Sequence, residues 1–197
     1  MGLTLVTSAI EEPVSRSQVK DHLRIHQEMK EHDLYIDDLI VAARSHCETY
    51  LRRQLLRATW KLTLEVVPGA CGTPLILIPR PPLIEVDYIR YLDPDLNWQT
   101  LSEDQYEVSS EFEPGRVFPS QSAGGVWPTT ANQAGAFEVQ YQAGYSDQSK
   151  LPRMICVGIS EMVRLLYDGV SPKDALESVE TLLHQYRCLD DRVADYA

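Results

Sequence analysis

Apolar residues in the chain follow two different periods, and the change of period divides it. Between Asp33 and Leu56, the positions Ile36, Leu39, Ile40, Ala43, Cys47, Tyr50 and Leu51 recur at steps of three and four. That spacing places them on one side of a 3.6-residue spiral and predicts one long amphipathic helix. Asp33 is the expected N-cap, and Arg52, Arg53 and Arg57 the basic complement to the negative end of the helix dipole. Ahead of it, Ser15-Arg16-Ser17-Gln18 has the form of a capping box and predicts a short helix to about Ile25, with Val19 and Leu23 on one face. Residues 1–14 are expected to be an extended arm.

After Leu56 the period shortens to two. Trp60–Val67 alternates as a half-buried strand does, and Pro68–Pro74, dense in Gly and Pro, marks a hairpin loop. Further short strands are expected at 75–79, 84–91, 98–101, 106–109, 116–118 and 137–141, separated by turn residues, with an irregular segment at 119–133. This is the pattern of a small antiparallel β-domain of five to seven strands. Helical spacing returns at Pro152, expected at N1, with the stripe Ile155, Ile159, Met162, Val163 and Leu166 ended by Gly169. Ser171-Pro172 opens a last helix with Val179, Leu182, Leu183 and Tyr186 on its apolar face. A charged tail, Leu189–Ala197, closes the chain.

Each helix carries one apolar stripe, so the helices must cover one another. The expected fold is α+β: a four-helix bundle built from N- and C-terminal helical hairpins (1–58 and 146–197), with a small antiparallel β-domain (59–145) inserted between them.

Composition narrows the function. A hydrophobic content of 44% supports a packed core. No apolar run approaches the ~20 residues of a membrane span, and the first residues lack the basic start and long apolar stretch of a signal peptide. No membrane role is expected. Cys47, Cys71, Cys156 and Cys188 are widely spaced and contain no CxxC pair, which argues against a zinc ribbon and fits a reducing compartment. The formal charge of −11 disfavours a free DNA-binding protein, because affinity for phosphate comes from Lys and Arg. An acidic wall does suit a channel that DNA must slide through without sticking.

No phosphate-binding loop, nucleophile elbow or zinc-protease motif is present. The nearest to a metal pattern is His22-x-x-x-His26, with His32 and His46 elsewhere, and two ligands do not make a site. His46-Cys47 is a poor nucleophilic pair, since neighbouring helix residues point in different directions. Asp93, Asp95, Glu103 and Asp104 read as a solvated hairpin end. Arg52, Arg53 and Arg57 could equally be surface charge or a contact for an acidic partner or DNA. Trp60, Trp98 and Trp127 read as β-packing residues, with Trp127 the one placed to anchor a subunit contact. Catalytic, cofactor and metal residues are therefore expected to be none, and the protein is not expected to be an enzyme.

Several stretches taken together resemble a known family. SRSQVKDHLRI and DLYIDDLIVAARSHCETYLRRQLL, running into Trp60, resemble the N-terminal half of the tailed-phage head–tail connector (adaptor) family. IRYLDPDLNWQTLSEDQYEV, GRVFPSQSAGGVWP and FEVQYQAGYSD resemble the β-insertion of its longer members, and LPRMICVGISEMVRLLYDG the helix that follows. The pieces occur in order over nearly the whole chain. Asp168-Gly169-Val170 departs from relatives that carry a basic residue there. The resemblance implies a structural protein of the neck of a tailed phage or gene transfer agent, synthesised in the bacterial cytoplasm and located at the head–tail junction of the particle. It implies a homo-oligomeric ring, typically of twelve subunits, beneath the portal protein. On the tail side, it would meet a stopper or another neck protein. Double-stranded DNA would pass through without sequence-specific binding. Rival expectations are a stopper or tail terminator, a small metal-dependent enzyme, or a nucleic-acid-binding regulator.

Overall fold

The computed structural model describes residues 2–65 and 74–189. The protein is α+β, with antiparallel sheets and four α-helices among those residues. It divides into two compact units: one from Ala9–Leu56 and Tyr145–Arg187, the other from Met1–Ser8, Arg57–Gly144 and Cys188–Ala197.

The first unit holds α1 (Arg16–Leu23), α2 (Asp33–Leu51), α3 (Arg153–Tyr167) and α4 (Pro172–Leu183). All four contribute to one apolar cluster, in which Val19, Ile36, Ile40, Cys47, Ile155, Ile159, Met162, Val179 and Leu183 are buried. α1 begins as its sequence demands: the Ser15 hydroxyl accepts from the Gln18 N–H, and the Gln18 side chain accepts from the Ser15 N–H at 2.8 Å. Three helices end in the same way. Arg24, Arg52 and Gly169 take left-handed backbone conformations, and the paired bonds Ile25 N–H to Lys20 and Arg24 N–H to Asp21 recur at the ends of α2 and α3. This double closure satisfies the orphan carbonyls of the last turn. At α3 the residue is glycine, which adopts φ +83° without a Cβ penalty.

Three boundaries differ from the expectation. α2 stops at Leu51 and does not run to Leu56. The Glu48 carboxylate, itself buried, accepts from the Leu55 N–H at 3.0 Å and the Gln54 side chain at 2.8 Å, and draws the chain back over the helix end. Asp33 is the first helical residue and does not cap. His32 precedes it without a side-chain bond. Asp33 instead pairs with Lys20, which is 2% exposed and donates to the carbonyls of Gln27 (3.3 Å) and Met29 (2.7 Å). Arg16 holds Asp33 at 3.1 Å and also bonds Asp37. The polar connection between α1 and α2 is thus tied down by one buried ammonium. Pro152 likewise sits just outside α3, at its N-cap.

The second unit contains a five-stranded sheet ordered β1–β2–β8–β4–β5, where β1 is Gly2–Thr7, β2 Ala58–Leu64, β4 Leu83–Leu92, β5 Trp98–Thr100 and β8 Phe137–Ala143. A three-stranded sheet joins β3 (Ile76–Ile78), β7 (Gly115–Pro119) and β6 (Tyr106–Ser109). Its core gathers Leu62, Ile76, Ile78, Ile89, Val117, Trp127, Phe137, Val139 and Tyr141. The N-terminal segment is a correction: residues 2–7 form no free arm but pair antiparallel with β2, Leu3 opposite Leu62 and Leu5 opposite Trp60. They belong with the sheet unit, not with the helices. The alternation Leu-Thr-Leu was present in the sequence, but strand partners 55 residues away are invisible to local pattern. The expected hairpin loop at 68–74 lies, but for Pro74, outside the described residues, as do the tail beyond Leu189 and the end of the first predicted strand.

At Gly158 α3 and α4 approach closely. A Cβ there would stand 2.8 Å from a Leu183 methyl, and Leu183 is fully buried. Gly158→Val should therefore cost roughly 1–3 kcal/mol by overpacking, despite the mid-helix glycine it removes. A chemical-denaturation midpoint checks this. An unchanged or raised midpoint would contradict the packing.

Candidate assembly surfaces

The side chains singled out for chemistry do not converge. His22 and His26 would share a face only if the helix continued, but α1 ends at Leu23 and the left-handed Arg24 turns His26 away. His22 instead meets Glu161 of α3 at 3.1 Å. His32 packs edge-on to Tyr167, and His46 is exposed on α2. Among the described residues no group of three His, Cys, Asp or Glu side chains is placed to hold a metal ion. Cys47 is fully buried against the Met162 sulfur at 3.8 Å, and burial pushes its thiol up to about 12. A thiol held protonated in an apolar core is not a nucleophile.

The acidic turn is structural. Asp93 accepts from the backbone N–H groups of Asn97 (2.9 Å) and Asp95 (3.0 Å) and from Gln99, and these bonds hold its carboxyl below the usual range. Glu103 and Asp104 open a single 3₁₀ turn boxed by Ser102 and Gln105. The three arginines separate. Arg52 terminates α2, and the buried Arg53 donates to the Tyr186 carbonyl. Arg57 lies in the sheet unit, bonded to Gln142 and Glu85. Trp127 is a core residue, its indole N–H on the Pro74 carbonyl at 2.8 Å and its ring edge-on to Phe137. Trp98 is the exposed tryptophan, with Arg90 over its ring at 4.8 Å.

What the helical unit offers instead is surface. α2 carries Leu34, 81% exposed, and Val41, 46% exposed, seven residues apart and off its buried stripe. A groove of about 560 Å³ is lined by Val14, Ile40 and Val41 together with Glu11, Glu12, Arg16 and Asp37. α3 exposes Met154 and Val157 next to Arg153. These apolar positions were readable in the sequence as departures from the main stripes, but the expectation of one stripe per helix passed over them.

Against known proteins, no family model and no curated protein matches the chain. Solved structures do match. A chain from the neck of an empty GTA particle computed with C6 symmetry superposes with a TM-score of 0.77 at 18% identity, over 96% of each chain. A chain from the neck of the native GTA particle computed with C12 symmetry gives 0.73, also at 18% and 96% of each. One from the virion of the native gene transfer agent (GTA) gives 0.73 at 16%, over 95% of each. The protein shares their fold along almost its whole length.

Two solution properties follow from the site geometry. Cys47 in the folded protein should resist alkylation near pH 8 and label only on unfolding, which mass spectrometry of peptide fragments reads directly. Rapid native labelling would show that the core opens. Glu161, hydrogen-bonded by Arg164 and His22, is held down at about 2 against an ordinary 4.5. Its contribution to stability is complete above pH 4.5 and is lost as pH falls toward 2. Glu161→Gln should flatten the fall of the denaturation midpoint across that window. An unaltered slope would mean that the pair contributes nothing to folding.

Proposed function

We propose that the protein is a head–tail adaptor, a structural subunit that assembles as a ring below the portal of a tailed phage or gene transfer agent. One observation carries this: a match at TM-score 0.77, over 96% of both chains, to a subunit in the neck of a GTA particle. The ordered resemblance of the sequence to head–tail connectors supports it independently. So does the charge of −11, which suits the wall of a conduit for DNA better than a binding surface.

In this reading the helices of residues 1–58 and 146–197 form a four-helix bundle that makes the ring body, apart from the N-terminal strand. The β-insertion of 59–145 contacts neighbours or the next ring. The ring is dodecameric, joins the portal to a stopper or other tail-side protein, and encloses DNA without reading its sequence. The tail from Leu189 to Ala197 docks on the portal. No step of chemistry is assigned to it.

Electron microscopy of the protein mixed with its portal tests the proposal. A closed ring seated on the portal is the expected outcome. A monomer under all conditions, portal included, would overturn it. A monomer in isolation would not, because a template supplies the free energy that a weak subunit contact lacks. Removing residues 189–197 should abolish portal binding while leaving the fold unchanged by circular dichroism.

A further inference from the structure

α2 and α3 pack face to face through Ile36, Ile40, Ala43 and Cys47 on one side and Ile155, Ile159 and Met162 on the other. Each then turns a second stripe away from its partner. On α2, Leu34, Asp38, Val41 and Ser45 lie roughly 160° around the helix from the buried stripe at 3.6 residues per turn. On α3, Arg153, Met154 and Val157 lie about 180° from theirs. The two stripes therefore face away from the α2–α3 seam, the α3 stripe beside α1, whose Gln18 and His22 line a groove with Arg153 and Val157. Both are exposed, and both combine apolar side chains with one charge: Leu34 and Val41 flank Asp38, and Met154 and Val157 follow Arg153 at the start of α3. The charges are opposite. Neighbouring charges on each flank are already committed, Asp37 to Arg16 and Glu161 to Arg164. Among the described residues, Asp38 and Arg153 form no ion pair or hydrogen bond within the chain. Lys150, exposed one turn before α3, adds to the positive side.

We propose that the α2 stripe of one copy docks on the α3 stripe of the next, with Asp38 set against Arg153 and the apolar side chains packed around that pair. The occupant is a second copy of this chain because the two flanks complement each other in charge and match in apolar character. Two different patches make a heterologous contact, which repeats head to tail and closes into a ring when the rotation per subunit permits. The proposal rests on the ring assigned above and names the surface that builds it.

Charge reversal tests it on the full-length protein with its portal. Asp38→Arg and Arg153→Glu should each raise the protein concentration needed for half-maximal ring formation by about tenfold, since a like-charge contact then repeats at every junction. The double variant should return to within about twofold of the parent, the pair having only changed ends. Mixing the two single variants should also restore rings. Strict alternation sets Arg against Glu at one junction and the native pair at the next, and neither variant can complement unless it is folded. Rings undisturbed by either single change would overturn this interface while leaving the adaptor assignment standing. So would failure of both the double variant and the mixture to recover. If the unaltered protein forms no ring on the portal, both fall.

Discussion

The contact between α2 and α3 is the one on which the helical unit depends. Cys47 and Met162 touch within it, 115 residues apart in the chain. Ile36, Ile40 and Ala43 on one helix are buried in one cluster with Ile155, Ile159 and Met162 on the other. α4 adds Ala175, Val179 and Leu183, and approaches α3 closely because Gly158 has no side chain. α1 adds Val19 and is tied to the start of α2 through Arg16, Lys20 and Asp33. An entire sheet unit is inserted between the two chain segments that meet here. The long loop this closes costs conformational entropy that grows only slowly with its length. A folded insertion is therefore tolerated without weakening the seam.

Several charged groups are used to finish helices and turns. Lys20 satisfies two carbonyls and a carboxylate in the link between α1 and α2. Glu48 gathers a backbone N–H and two side chains where α2 stops. Asp93 builds a turn in the sheet unit. Each is a charged side chain whose hydrogen bonds offset the loss of water around it. With those groups committed to structure, the helical unit still exposes the aliphatic side chains of Leu34, Val41, Met154 and Val157. An exposed aliphatic face of this kind is what the docking proposed above would use.

Much of this was legible in the residues themselves. The capping box at Ser15, the glycine cap at Gly169, the Ser171-Pro172 helix start and the apolar stripes of α2, α3 and α4 all rest on interactions within a few residues, which local pattern records. The misplaced features share one cause. Leu56 was expected inside α2 because Leu55 and Leu56 continue the apolar run, while Glu48 folds that run back. Residues 2–7 were expected to be a free arm because nothing nearby pairs with them, and β2 lies beyond two helices. His22 and His26 are four apart in number but are separated by a helix end. The arginines at 52, 53 and 57 are neighbours in the chain, but one ends α2, one is buried and one belongs to the sheet unit.

By itself the sequence determined which segments coil and which extend, that two stretches of helix must be covered by one another, and that the chain is acidic enough to repel phosphate. These are consequences of side-chain period and charge, which no later folding step alters. Only the tertiary structure decided which apolar residues face the core and which are left for a partner. Leu34 and Ile36 are equally hydrophobic, and what separates them is the position of α3. A face becomes an outer face when some other face has been buried, and that choice belongs to the packed chain as a whole.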